Sequence, residues 1–282
     1  MTGGAALLSA LGSQISEAQE EIKKAGGNFK HSVCHWCFGR IPLEEFCVEV
    51  KKMGIESVEI LFPEQWATLA KHDLTCAMGR PHPVKGIAGI PNAFENKANH
   101  DTLVEIYEDI IPKAAKAGNV PQVIAFSGNR RGLTDEEGLK NCIGGVKRIV
   151  PIAEKHKITV SMELLNSKVN HGDYLCDRTE WGVQLVNAVG SDRFKLLYDI
   201  YHMQIMEGDC IATFTKHKEA ISHFHTAGVP GRNEIDDTQE LNYRGICKAL
   251  AAMGYEGYLG QEFVPKRDPL TSLKEAVEIC TV

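Results

Sequence analysis

The fold is decided between residues 159 and 199, where the sequence reads TVSMEL (159–164), EWGVQLVNAV (180–189) and FKLLYD (194–199). The outer two runs are short and largely apolar, as buried strands of a parallel sheet are. The middle run repeats its apolar residues at helical spacing. A strand, a helix and a second strand in this order predict one βαβ unit.

The same alternation continues in both directions from about residue 30. Eight strands are predicted: Ser32–Trp36, Ser57–Leu61, Leu74–Met78, Gln122–Phe126, Thr159–Leu164, Phe194–Asp199, Ile221–Thr226 and Gly257–Glu262. The predicted helices are Leu43–Met53, Asp101–Lys116, Asp135–His156, Glu180–Val189, Arg244–Met253 and Leu270–Ile279. Three of them end at a glycine, Gly54, Gly118 or Gly254, as helices often do. Eight alternations predict a (β/α)8 TIM barrel.

The length of 282 residues fits one barrel better than two domains, because such barrels commonly reach about 250 residues. We predict an N-terminal extension over residues 1–29, with a helix at Gln14–Ala25, and the barrel over residues 30–282. The apolar stretch Gly3–Leu11 lacks a preceding cationic region. A truncated export signal and a frayed extension both stay open, so a cytoplasmic location is expected with export as the alternative.

The composition points to small-molecule partners. Hydrophobic residues make up 43% and charged residues 24% of the chain, and the net charge is −6 without a basic run. Nucleic-acid binding is therefore not expected, and no apolar run is long enough to span a membrane. Nine cysteines favour reduced thiols over disulfides, with Cys34 and Cys37 buried in a strand over residues 31–38. A homo-oligomer stays open.

Four consecutive predicted strands end in a group that can bind metal. Glu163, Asp199, His225 and Glu262 lie at the ends of strands five to eight. Active sites of this fold are built at the carboxyl ends of the strands, so the four side chains are expected to converge. Three carboxylates and one imidazole suit Mn²⁺, Mg²⁺ or Co²⁺ better than a thiolate-preferring ion.

Two further segments are expected near the mouth of the barrel. His35 and Trp36 end the first predicted strand and could line the pocket or pack in the core. The irregular stretch from Gly79 to Asn99 is expected to cap the mouth, because long loops of this fold carry function.

Several motifs around these residues carry a family resemblance. They are MELLN (162–166), YDIYHMQIMEGD (198–209), ISHFHTAGVPGR (221–232), ELNY (240–243) and GQEF (260–263), with VEILFP (58–63) in the second strand. Together they resemble the hydroxypyruvate isomerase branch of the sugar isomerase/epimerase (xylose isomerase-like) barrels. The likeness is densest over residues 160–265 and continuous but weaker over residues 30–160.

The resemblance implies an isomerase of the aldose–ketose type, acting in carbohydrate metabolism on a small hydroxy-carbonyl compound such as hydroxypyruvate. It implies one divalent metal, Mn²⁺ in preference, held by the four residues named above, with Glu163 and Glu262 also moving protons through a cis-enediolate. It further implies that His202 and Arg232 bind the substrate.

Two departures from relatives point in opposite directions: Val169 weakens an epimerase, and the pair His223-x-His225 keeps one open. Ketose 3-epimerases of this superfamily carry a glutamate where Val169 stands, whereas the pair His223-x-His225 resembles those epimerases more than many hydroxypyruvate isomerases. A ketose or keto-sugar 3-epimerase is therefore one alternative. A non-catalytic sugar-binding barrel is another. A phosphodiester-cleaving relative would need two or three metals, and the four ligands suffice for one.

Overall fold

Parallel strands and helices alternate along residues 29–282, the part of the chain that the computed structural model describes. The strands in this part are β1 Lys30–Cys34, β2 Ser57–Glu59, β3 Gln122–Ala125, β4 Thr159–Glu163, β5 Phe194–Asp199, β6 Ile221–Thr226 and β7 Tyr258–Gln261. The α-helices are α1 Leu43–Lys52, α2 Trp66–Lys71, α3 His100–Ala117, α4 Asp135–His156, α5 Thr179–Val189, α6 Ile200–Met206, α7 Cys210–Lys216, α8 Tyr243–Ala252 and α9 Pro269–Cys280. The predicted N-terminal helix and signal remnant lie outside the described residues.

The strands form one parallel sheet in the order β2-β1-β7-β6-β5-β4-β3. The gap between β2 and β3 is filled by residues 74–79, which we call the closing segment. Thr75 bridges to Ser57 of β2, and Gly79 bridges to both Leu61 and Val123. The Gly79 N–H donates to the Gln122 carbonyl at 2.8 Å. The sheet therefore closes into the predicted barrel.

The third predicted strand is wrong as a regular strand, because Leu74–Met78 makes single bridges in place of a ladder. Its neighbour β2 also stops earlier than predicted. Ile60 has a φ of 59°, a left-handed conformation that extended backbone does not adopt. The ladder of β2 therefore ends at Glu59, and the closing segment meets a short edge.

The first strand also ends earlier than predicted, at Cys34, and residues His35–Phe38 form a 3₁₀ turn. The strand predicted over residues 31–38 is thus wrong in its second half. The turn leaves the Trp36 side chain 46% exposed at the carboxyl end of the barrel. His35 instead contacts Phe46 and bonds to the Ile41 carbonyl.

Helix boundaries follow the capping chemistry of the sequence. Thr134 and Glu137 form a reciprocal capping box at the start of α4, which begins and ends where predicted. Gly54, Gly118 and Gly254 all have positive φ where their helices stop. The other predicted helices shift by one residue at one or both ends.

The remaining predictions concern thiols and membranes. All nine cysteines are free, and all are buried except Cys37, which is half-buried. None of the helices in residues 29–282 has the length and apolar content needed to cross a bilayer.

Candidate metal centre and active site

The four predicted ligands meet at the carboxyl edge of the sheet. Glu163 ends β4, Asp199 ends β5, His225 lies near the end of β6, and Glu262 follows β7. One ligand atom from each lies within 4.8 Å of the others, and all four side chains are buried. The β5–β6 register places Asp199 opposite His225. Parallel strands end at the same edge of a sheet, so side chains at the ends of neighbouring strands lie close together.

The Asp199 carboxylate has one buried oxygen that a cation could contact. Its Oδ1 accepts the His202 N–H at 3.0 Å, but its buried Oδ2 has no hydrogen-bond partner among residues 29–282. Burial raises the pKa of Asp199 to about 7. A divalent ion would complete the contacts of Oδ2 and offset the burial of three carboxylates, so the residues present fit Mn²⁺, Mg²⁺ or Co²⁺.

The Glu262 carboxylate is held on both oxygens. Trp36 donates from Nε1 to Oε1 at 2.8 Å, and Arg232 donates from Nη2 to Oε2 at 2.6 Å. The Arg232 guanidinium lies over the rings of Trp36 and Tyr201, at 5.3 and 5.4 Å from their centroids. These contacts fix the orientation of both Glu262 and Arg232.

Glu163 and Glu262 have pKa values displaced in opposite directions. Burial raises the pKa of Glu163. Burial acts in the same sense on Glu262, but the charges of Arg232 and His225 outweigh it and hold the pKa of Glu262 well below its usual range. Pairs of carboxyl groups separated in this way are typical of acid–base chemistry.

His202, predicted to bind substrate, lies next to Asp199 and Arg232. Its ring is fully buried, and its Nδ1 accepts the Asn166 backbone N–H at 3.1 Å. Its Nε2 lies 3.1 Å from Arg232 Nη1 and 3.7 Å from Asp199 Oδ2. Burial lowers the pKa of His202 well below the usual value, and Arg232 lowers it further. His202 thus contacts a predicted ligand and Arg232 and does not line the cavity described next.

A cavity of about 180 Å³ is bordered by two of the four ligands, Glu163 and Glu262. Its lining residues are Trp36, Ile60, Arg80, Ile90, Ile124, Phe126, Glu163, Leu165, His171, Arg232 and Glu262. Most of the wall is apolar, and the charged side chains that line it are Arg80, Glu163, Arg232 and Glu262. Arg80 and Ile90 come from the stretch 79–99, so part of this loop does border the cavity, as predicted.

A larger, more open depression of about 590 Å³ lies elsewhere on the surface. Glu95, Arg131 and Lys140 are among its lining residues, and none of the four ligands is. The Glu95 carboxylate is already paired with Arg131. We therefore assign the chemistry to the smaller cavity.

Sequence reasoning missed Glu59 and Arg80. Glu59 ends β2, is fully buried and lies between His223 and His225. An acid inside the apolar run Val58–Leu61 was the signal, because a buried charge requires partners. Arg80 follows the closing segment, lies over the Phe62 ring at 5.3 Å and pairs with no carboxylate of residues 29–282. No pattern in its irregular loop marked it.

The sequence profile of the xylose isomerase-like TIM barrel family matches residues 47–281. The chain belongs to this family. A solved structure described as an AP endonuclease, family 2, from Brucella melitensis is 26% identical, covers 87% of this chain and 97% of its own, and superposes with a TM-score of 0.78. A 3-keto-D-glucoside 4-epimerase from E. coli is 16% identical, with a TM-score of 0.72 over 89% of this chain and 98% of its own, and supports the fold alone.

Curated relatives are named as isomerases. A putative hydroxypyruvate isomerase from Drosophila melanogaster is 28% identical over 56% of this chain and 60% of its own. A 2-oxo-tetronate isomerase from Cupriavidus necator is 35% identical over 39% and 41%. The match therefore spans about half the length of these relatives. A putative hydroxypyruvate isomerase from Danio rerio aligns more fully, over 92% and 88%, at 23% identity. The predicted resemblance to the hydroxypyruvate isomerase branch is confirmed by these relatives.

Proposed function

We propose that this chain is a metal-dependent isomerase of the aldose–ketose type, acting on a small hydroxy-carbonyl acid such as hydroxypyruvate. One observation carries the proposal. Glu163 and Glu262 both line one small cavity, and behind it they join Asp199 and His225 within 4.8 Å. Two carboxylates therefore face a bound molecule from a site that also fits a cation.

Glu163, Asp199, His225 and Glu262 would hold one divalent ion, with Mn²⁺ preferred by the oxygen-rich donor set. When bound, such an ion supplies polarisation of a carbonyl oxygen and its neighbouring hydroxyl, which acidifies the C–H bond between them. Asp199 and His225 do not line the cavity, so their role is to hold the ion.

Glu163 and Glu262 would carry the proton transfer. One carboxylate removes a proton from the carbon that bears the hydroxyl group, and the other glutamate, as the acid, returns a proton to the adjacent carbonyl carbon. The hydroxyl proton moves to the former carbonyl oxygen. Exchange with solvent then restores the protonation of the pair. Trp36 and Arg232 keep Glu262 in place throughout.

Arg80 supports an acidic substrate over a neutral ketose. The charge of Arg232 is matched by Glu262, whereas Arg80 lines the same cavity and pairs with no carboxylate of residues 29–282. A substrate carboxylate would supply the missing partner in a two-pronged contact. Hydroxypyruvate and 2-oxo-tetronate, the compounds for which relatives are named, both carry one.

Neither of the two positions compared with the epimerases supports an epimerase in the described part of the chain. His223 is buried behind His225 and does not line the cavity. Val169, at the position of the epimerase glutamate, is 69% exposed and also lies off the cavity wall. We therefore keep the isomerase as the single candidate.

The test is turnover in D₂O with added Mn²⁺, on hydroxypyruvate and on a panel of neutral ketoses. We expect isomerisation of the acid with deuterium at carbon, read by mass spectrometry. Exchange on neutral ketoses with none on the acid would support the epimerase instead. Binding of Mn²⁺ without exchange on any compound would support a non-catalytic barrel.

A further inference from the structure

We propose that Glu59 is a positioning residue of the metal centre, which orients the imidazole of His225 so that Nδ1 faces the metal position. This inference rests on the metal centre proposed above but not on the proposed reaction. It assigns a role to an acid that lies outside the cavity and outside the four ligands.

The position of Glu59 relative to His225 is the first argument. Glu59 Oε1 lies 3.3 Å from His225 Nε2. On the opposite side of the ring, Nδ1 lies 3.0 Å from Glu262 Oε2 and 3.7 Å from Glu163 Oε1. The imidazole thus lies between Glu59 at one nitrogen and the ligand carboxylates at the other.

The chemistry of imidazole gives the second argument. A neutral ring has one N–H and one lone pair, and only the lone pair can bind a metal. Because an ionised Glu59 can only accept a hydrogen bond, it requires the ring proton on Nε2. The lone pair is then on Nδ1, where Glu163 and Glu262 lie. The thiol of Cys34, 3.7 Å from Nε2, is a weak acceptor and competes little.

His223 completes this arrangement from the other side. Its Nε2 lies 3.1 Å from Glu59 Oε1 and 3.0 Å from Oε2, so Glu59 contacts both imidazoles. The two histidines of the His223-x-His225 pair therefore have different roles. One would bind the metal, and the other holds the acid that orients it.

Gly260 makes room for the acid. A Cβ added at Gly260 would overlap Glu59 Oε1 and come within 2.8 Å of His225 Cδ2. The β7 backbone thus approaches Glu59 and His225 more closely than any side chain allows. Gly260→Ala is consequently a way to displace Glu59 and the His225 ring together without changing the chemistry of either, so Glu59→Gln is the specific test.

A second metal site is the competing interpretation, because Cys34, Glu59 and His225 also offer ligand atoms within 4.8 Å of one another. Such a site would require His225 to bridge two ions through both ring nitrogens. Glu59 Oε1 already has both imidazole nitrogens near it, at 3.1 Å from His223 and 3.3 Å from His225, whereas Oε2 has no hydrogen-bond partner among residues 29–282. Contacts of one acid with two imidazoles account for Oε1, and such partners of metal ligands are common. The number of Mn²⁺ ions that the wild type binds separates the two interpretations.

The test measures Mn²⁺ binding to the metal-stripped full chain by calorimetry. Glu59→Gln should weaken binding by about 10- to 100-fold, the range usual for such partners, and Gly260→Ala should weaken it in the same direction. The control is Glu95→Gln, which also removes a buried glutamate with a charged partner but lies away from the site. It should lower the melting temperature and leave the affinity within twofold.

A Glu59→Gln affinity within threefold of wild type, or two Mn²⁺ ions per chain in wild type, would overturn the role of Glu59. A wild-type chain that binds no Mn²⁺ would overturn the metal centre and this role together. Binding with no turnover would remove only the proposed reaction. If Glu59→Gln does not fold, ¹H–¹⁵N spectra of the Mg²⁺-loaded wild type decide: the His225 ring proton should be on Nε2, and a proton on Nδ1 contradicts the proposal.

Discussion

The two halves of the barrel mouth are built differently. Strands β4 to β7 pair with one another in ladders that are interrupted only by a bulge at Leu196 and Leu197, and the four candidate ligands lie at their ends. In the other half, β2 has only three residues and the closing segment makes single bridges. These elements, β1, β3 and the residues just after them supply most of the cavity wall, including Trp36, Ile60, Arg80 and Ile124. The regular half would perform the chemistry, and the irregular half would shape the cavity and select its occupant.

This division has a physical reason. Three buried carboxylates repel one another, so they persist only on a scaffold that resists relaxation, and four neighbouring paired strands with buried ends provide it. A wall that selects a small molecule has no such repulsion to resist. Its backbone can bend where the shape of the cavity requires, as at Ile60 with its φ of 59°.

Removing one carboxylate from the regular half is expected to have the largest effect. Glu262→Gln keeps the shape of the side chain but cannot accept a proton, so deuterium incorporation into hydroxypyruvate in D₂O should fall by about 100- to 10,000-fold. Far-ultraviolet circular dichroism should be unchanged. The control is Glu256→Gln, a substitution at an exposed position at the opposite end of the barrel. This variant should keep full deuterium incorporation. Retained exchange in Glu262→Gln would end the two-glutamate mechanism.

The next largest effect should come from the metal. Mn²⁺ at about 100 times its Kd should stabilise wild type by about 2.7 kcal/mol, or about 5–10 °C in melting temperature. Asp199→Asn should abolish this shift. Without metal, Asp199→Asn should melt no lower than wild type, because the amide avoids the cost of burying the carboxylate whose Oδ2 lacks a partner.

A melting temperature that Mn²⁺ leaves unchanged in wild type would contradict the metal centre. A metal-free Asp199→Asn chain that melts far below wild type would show that this carboxylate stabilises the fold by itself. In that case the main role of the Asp199 carboxylate would be to stabilise the fold, and metal binding would be secondary.

On the irregular half, Arg80→Gln should change selectivity. A hydrogen bond to a charged group contributes about 1.5–3 kcal/mol, so KM for hydroxypyruvate should rise about 10- to 100-fold. Turnover of dihydroxyacetone, a neutral analogue, should change little. Arg148→Gln, which removes a surface pair with Asp101, serves as the control. An equal loss on both compounds would mean that Arg80 maintains the loop and does not bind a carboxylate.

The regular half could be predicted almost completely from the sequence. Strands β5 and β6 have the predicted ends, and the four candidate ligands converge as expected. The reason is that the signal is local. An apolar run that stops at an acid or an imidazole indicates where the strand ends and which side chain lies at the edge of the sheet. Glu59 was missed because it lies within an apolar run, and because its partners His223 and His225 are far away in the sequence.

The irregular half could not be predicted in the same way. The closing segment has a strand-like composition, but its single bridges depend on the conformation of Ile60 and on the packing of Gly79 against other elements. Neither appears in a pattern of apolar residues. Arg80 could not be predicted for the same reason, because the conformation of the closing segment sets its position in the cavity wall.

The smallest effect should come from Gly79→Ala, which tests whether the halves are separable. A Cβ at this position would come within 2.9 Å of the Trp66 ring and of the Val120 side chain, so the free energy of unfolding in urea should fall by about 1–3 kcal/mol. Gly144→Ala, in helix α4 with no atom within 4 Å, should raise it by about 0.5–1 kcal/mol. Because the four ligands lie on the other half, the Mn²⁺ affinity of folded Gly79→Ala should stay within threefold of wild type. KM for hydroxypyruvate should change more than the Mn²⁺ affinity does, because Arg80 directly follows the substituted residue. If the affinity for Mn²⁺ falls as much as KM rises, the closing segment supports the metal centre too, and the division between the halves is wrong.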